Sequence, residues 1–222
     1  MAALLFFLPI IIGCSKKSPV NRTDDLVSFW NNELQETIHD GLALGKLPYP
    51  EIAERFKETN LEILRQTKKA IHIDCSTSYN WADKRVEGTA GMIESNNMAC
   101  ITLHIPAIRD TFDMLQKSRD LHWEEAFKSH QIILVMHESE HLRAGDTKPT
   151  HIDMSEESRA WDDTCRYTIA PLAEKYHVPL FSSDAVIYRA WKEAGGDTNS
   201  FYWLEAMKKR YGEFDGRTRT RP

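Results

Sequence analysis

The chain is poor in the features that mark several common protein classes. Four cysteines in 222 residues are too few to staple a disulfide scaffold. None falls in a C-x-x-C pair, which excludes a zinc ribbon or a thioredoxin-type redox site. Positive charge is not in excess, with Lys+Arg at 28 against Asp+Glu at 33 and a formal charge of -5. That balance argues against nucleic acid as the main partner. Internal repeats, a nucleotide-binding glycine loop, a Ser-His-Asp context and a basic aromatic stripe are all missing. What remains is an ordinary globular composition, 41% hydrophobic and long enough for one sizeable core. Nine histidines exceed average usage, and their placement matters more than their number.

Long apolar runs are also scarce. Residues 2–12 (AALLFFLPIII) are almost wholly apolar, short of the roughly 20 that a membrane-spanning helix needs but suited to the core of a signal peptide. They lead into Ile11-Ile12-Gly13-Cys14 and then the polar run SKKSPVNRTDD. This junction resembles the lipobox of bacterial lipoproteins. The resemblance implies that residues 1–13 are a removable signal and that Cys14 is lipidated. Residues 14–24 would form a tether, and the protein would be held in the cell envelope by acyl chains. Ser15 after the cysteine favours the outer membrane, facing the periplasm. In that oxidising compartment Cys75 and Cys100, each in a strand-like run, are placed for a cross-strand disulfide, with Cys165 left over.

Residues 25–215 read as one domain, followed by a basic tail at 216–222. Helical periodicity runs through 26–44, 50–70, 105–122, 123–145, 155–177, 183–194 and 198–211. Strand-like segments cover 71–77, GTAGMIE and 97–105. Helices, a small sheet and helices again predict a mostly helical α+β fold.

One constellation carries chemistry. His137-Glu138-Ser139-Glu140-His141 follows the apolar run Ile132–Met136, which implies a buried helix. Residues i and i+4 share a helix face, so His137 and His141 can point at one cation. Glu138 sits one residue round the helix, placed to work as a base on a metal-bound water rather than as a ligand. Two histidines and two glutamates in a buried helix need partners, and a divalent cation would satisfy three of the four. A catalytic zinc takes three protein ligands, and the third is sought downstream among His151, Glu156 and Glu157. Projected at about 100° per residue, Glu157 lies roughly 60° from the centre of the apolar face of its helix, and Glu156 about 160° away. Glu157 is the better placed. Ala144 and Thr147 stand where a metzincin needs glycine and histidine, so that family is excluded.

His137-Glu138-x-x-His141, with Glu157 opening the following helix as E-S-R-A, resembles the gluzincin branch of the zincin metallopeptidases. The resemblance implies a zinc enzyme with His137, His141 and Glu157 as ligands and Glu138 as general base and acid, acting on a peptide or protein; a cell-envelope hydrolase acting on cell-wall peptides is a further reading. It also implies an edge strand for the substrate just before the zinc helix, and NMACITLHI (97–105) is the natural candidate. Trp161 stands where an aspartate often orients the first histidine, which leaves that role unassigned. The same five residues read backwards as His-x-x-Glu-His, the inverzincin order, with Glu140 as base and Glu205 or Glu213 as ligand. Tyr167, His177 and Tyr188 are candidate donors to an oxyanion, while His72 and His104 are expected to be structural. A non-catalytic envelope lipoprotein with a structural or vestigial metal site is the alternative.

Overall fold

A computed structural model describes residues 47–76, 87–93, 97–118, 121–145 and 153–211. Cys14, His151, Glu213, the 26–44 segment and the basic tail lie outside the described residues.

Helix α1 (Pro50–Thr67) opens with proline at its first position, where a missing N–H costs nothing, and closes on Lys68 in the left-handed region. Three strands follow: β1 (His72–Ser76), β2 (Gly88–Ile93) and β3 (Met98–His104). Their order is β1-β3-β2, with β1 parallel and β2 antiparallel to β3. The strand expected at the sheet edge, β3, is therefore central. Its buried residues Ala99, Cys100, Ile101, Leu103 and His104 explain why: a strand covered on both faces reads as a nearly continuous apolar run. The edge on the helical side is β2, built of small residues and packed against the helix that carries the two histidines.

The expected disulfide is not formed. Cys100 is a free thiol. Cys75 is in register with Leu103, while Cys100 faces His72 and Gly91. The two cysteine positions are thus three steps out of phase, about 10 Å along the strands, beyond disulfide reach.

Helix α2 (Ile105–Lys117) leads directly out of β3. Helix α3 (Trp123–Ala144) is the axis of the molecule and packs against α1, α2, β2 and the next helix, α4 (Met154–Thr164). Every residue from Ser129 to Leu142 is buried. Such a helix is surrounded by protein, not merely backed by it. It stops at Gly145, whose φ of 82° lets its N–H return to the last turn. Asp153 caps α4 by accepting from the Ser155 N–H.

The continuous helix expected to 177 instead changes character. Cys165–Ile169 and Pro171–Lys175 are wound as π-helix. Pro171 has no N–H to continue the α ladder, and the wider turn accommodates it, with the Tyr176 N–H donating to the Pro171 carbonyl. Helices α5 (Ser182–Glu193) and α6 (Phe201–Tyr211) pair with each other and close the fold. The whole is a mostly helical α+β domain.

Candidate metal centre

Because α3 is enclosed, each of its polar side chains must find a partner inside the protein, and following those partners maps the site. Ser129 donates to the Ala126 and Pro179 carbonyls. Glu140 takes a bidentate salt bridge from Arg55 of α1, both N···O distances being 2.8 Å. The Arg55 guanidinium lies over the Tyr167 ring at 3.9 Å. Glu140 is thus committed to α1, and Glu205 pairs with Lys208 on α6. The backwards reading of the motif loses both its base and its described ligand candidate.

Adjacent to Glu140 on α3, His137 and His141 converge with Glu157 from the first turn of α4. His137 Nε2 is 3.3 Å from His141 Nε2 and 3.2 Å from Glu157 Oε2, and His141 Nε2 is 3.6 Å from Glu157 Oε1. Among the described residues these three form the one group of His, Cys, Asp or Glu placed to hold a metal ion. Glu156, one residue earlier, is not part of it.

The triangle also fits the ion. A tetrahedral zinc with bonds of about 2.0–2.1 Å needs ligand atoms separated by roughly 3.3–3.4 Å. The chemistry of the donor set gives the same answer. Thr164 Oγ1 donates to the Ala160 carbonyl at 2.6 Å, so its oxygen can only accept from His137 Nδ1, 3.4 Å away. The His137 proton is then on Nδ1, and a lone pair on Nε2 faces a carboxylate and a second imidazole. No proton then lies between His137 Nε2 and Glu157 Oε2, 3.2 Å apart, and without a cation these two lone pairs repel.

Protonation agrees with a ligand role. Burial lowers His137 to about 4 despite the nearby Glu157, so the ring is neutral at pH 7. For Glu157 burial acts upward, but the two imidazoles outweigh it and hold the carboxyl well below the usual range. Metal ligands need these forms. Glu138 is different. It is 7% exposed and no side chain among the described residues hydrogen-bonds its carboxyl. Burial raises it to about 7, where one group can both take and return a proton. The backbone of β2 passes so close that a Cβ on Gly88 would sit 3.0 Å from Glu138 Oε1.

Trp161 does not replace the expected aspartate by hydrogen bonding. It stacks on His137, with centroids 4.1 Å apart and planes at 24°. Its indole N–H reaches Tyr211 OH at 2.5 Å, and that hydroxyl reaches Glu157 Oε2 at 2.6 Å. The Arg210 guanidinium lies 4.2 Å from the Trp161 ring.

Of the proposed oxyanion donors, Tyr167 is under Arg55, Tyr188 stacks beside Trp191, and His177 lies just beyond the π-helical segment with φ at 54°. None is brought to the triangle. His104 is buried and shares a contact with Thr89, while His72 is exposed.

A second buried cluster was missed from sequence. His130, fully buried and two turns before His137, holds Asp184 Oδ2 at 2.7 Å on one nitrogen and Glu87 Oε2 at 3.1 Å on the other. Thr111 adds a hydroxyl to Glu87 at 2.5 Å. Burial lowers the His130 pKa, but the two carboxylates overcome it and raise the ring to about 10.

Comparison of the chain with protein-family models, curated proteins and solved structures finds no match. The functional reading therefore rests on the site's own geometry.

Proposed function

We propose that this protein is a zinc-dependent hydrolase, a metallopeptidase of gluzincin type, anchored at the cell envelope by a lipid on Cys14. The observation that carries the proposal is the His137–His141–Glu157 triangle, whose ligand atoms lie 3.2, 3.3 and 3.6 Å apart, near the spacing around a tetrahedral ion. When bound, zinc would supply a Lewis acid to polarise a carbonyl and to acidify water.

The remaining steps belong to the chain. His137, His141 and Glu157 would hold the ion, and burial keeps the His137 ring neutral at pH 7. Glu138, with no hydrogen-bonding side chain among the described residues and poised near neutrality, takes a proton from the attacking water and returns it to the leaving amine. β2 rather than β3 is the strand to which an extended substrate can add, since its outer edge is unpaired among the described residues. Its first residue, Gly88, abuts Glu138, so a backbone lying along β2 would reach the base.

Membrane attachment is supported by the lipobox resemblance alone. No helix among the described residues is long and apolar enough to cross a membrane.

The test is metal content and peptide hydrolysis on the purified full chain in detergent. One zinc per chain is expected, lost in His137→Ala and retained in Glu138→Gln, with hydrolysis lost in both. A folded protein that takes up no divalent metal at neutral pH refutes the proposal. Zinc uptake without hydrolysis of any peptide, including cell-wall peptides, selects the non-catalytic lipoprotein.

A further inference from the structure

The three ligands come from two helices, but the hydrogen bonds behind them reach a third. An indole N–H can only donate, so the 2.5 Å contact between Trp161 Nε1 and Tyr211 OH leaves the phenol oxygen as acceptor there. The phenol's own proton then goes to Glu157 Oε2 at 2.6 Å. The direction of both bonds is fixed by the chemistry of tryptophan.

Thr164 is constrained in the same way. Its proton is used on the Ala160 carbonyl, which leaves an oxygen that only accepts from His137 Nδ1. One proton is thereby held on the far side of His137, and one is supplied to Glu157 Oε2, the same oxygen that lies 3.2 Å from His137 Nε2. Both arrangements turn lone pairs toward the shared centre. Tyr211 ends α6, 54 residues beyond Glu157 in sequence, so the last described helix is tied to the metal centre through one hydroxyl.

We propose that Thr164 and Tyr211 are positioning residues for the metal ligands, Thr164 fixing the tautomer of His137 and Tyr211 fixing the orientation of Glu157, with Trp161 setting the direction of the Tyr211 bond. The proposal rests on the zinc reading above. It assigns to a threonine on the ligand helix the orienting role for which sequence gave no residue. Such outer partners commonly contribute about 10–100-fold in metal affinity.

The experiment is competition of the full chain with a chromogenic chelator for zinc at pH 7, first on the wild type. Absence of zinc binding there overturns the metal reading and this inference with it, before any variant is made. With wild-type binding in hand, Tyr211→Phe and Thr164→Val are each expected to weaken zinc about 10–100-fold while circular dichroism stays native. Thr164→Ser should restore the affinity, because it restores the acceptor. In zinc-loaded wild type, nitrogen-15 spectra should show a protected proton on His137 Nδ1, lost in Thr164→Val. Zinc should slow hydrogen exchange in α6, and less so in Tyr211→Phe. Wild-type affinity in a folded variant overturns the role given to that residue. Should Tyr211→Phe fail to fold, the Thr164→Val and Thr164→Ser pair and the α6 exchange of the wild type decide.

Discussion

His130 and His137 lie seven residues apart on one helix, so they share a face, and both are buried against carboxylates. They nevertheless end in opposite states. His130 is one imidazole between two carboxylates, each nitrogen has its own acceptor, and the ring is raised to about 10. At His137 the ratio is inverted: two imidazoles share one carboxylate, and burial lowers the ring to about 4. The first cluster has enough protons to satisfy its acceptors and is closed. In the second, His137 Nε2 and Glu157 Oε2 face each other as two acceptors, which a cation between them would satisfy. Burial is common to both. The balance of donors against acceptors separates the cluster that reads as architecture from the candidate binding site.

The sharpest way to break this comparison is at the residues between and beyond the ligands. Glu138 and Glu140 have the same side chain two positions apart, one without a hydrogen-bonding side chain among the described residues and the other clamped by Arg55. Glu138→Gln should keep zinc and reduce kcat by about 10²–10⁴-fold, roughly 3–5 kcal/mol of barrier. Glu140→Gln should leave kcat per folded molecule within about twofold and lower stability instead. Peptide turnover normalised to bound zinc checks both. A larger kcat loss at Glu140 would mean that the motif runs backwards.

The next largest effect concerns the closed cluster. His130→Gln leaves Asp184 and Glu87 buried without their shared cation, a loss of about 3–5 kcal/mol. Urea denaturation should show it as a fall in midpoint with little change in slope. Zinc affinity of the remaining folded protein should hold, because His130 touches none of the three ligands. A His130→Gln variant of normal stability would show that the cluster is not the charged unit described.

The two clusters should also respond to opposite ends of the pH scale. His130 is raised in the folded state, so its contribution is fully present below the unfolded value of about 6.5 and is lost as pH rises through about 10. His137 is lowered, so its contribution is present above about 6.5 and lost as pH falls through about 4. Each limb should be on the order of a few kcal/mol. Denaturation midpoints from pH 4 to 10.5 would resolve them. His130→Gln should flatten the alkaline limb alone, and zinc should steepen the acid limb alone, because protons compete with the metal at its ligands.

The halves of this comparison were not equally legible in sequence. The candidate metal centre was written locally. An i, i+4 histidine pair and a glutamate on the apolar side of the next helix need only helical periodicity to converge, and Glu157 rather than Glu156 follows from the same rotation. The partners of His130 come from the residue before β2 and from α5, and Tyr211 from the end of α6, so no spacing rule connects them. Thr164 was within reach, seven residues after Glu157 and on its face, but a lone threonine carries no chemical signature. Element order was legible because apolar period distinguishes helix from strand. Strand order was not, since pairing depends on register and crossover. That is why β3 was taken for an edge, and why the Cys75–Cys100 pairing fails.

The smallest effect tests how closely the sheet is fitted to the base. Gly88 lets β2 pass Glu138 without displacing it, since a Cβ there would meet Oε1 at 3.0 Å and Cγ at 3.1 Å. Those atoms are the end of a side chain rather than backbone, so Gly88→Ala should fold by turning the Glu138 carboxyl aside. A displacement of a few tenths of an ångström moves the base without touching the ligands. Zinc affinity should stay within about twofold, while kcat falls several-fold, on the order of 1 kcal/mol. The neighbouring Glu87 ties this same turn to His130, so the closed cluster fixes where β2 meets the base. A loss of zinc in Gly88→Ala, rather than of kcat, would show that the strand supports the ligands and not Glu138.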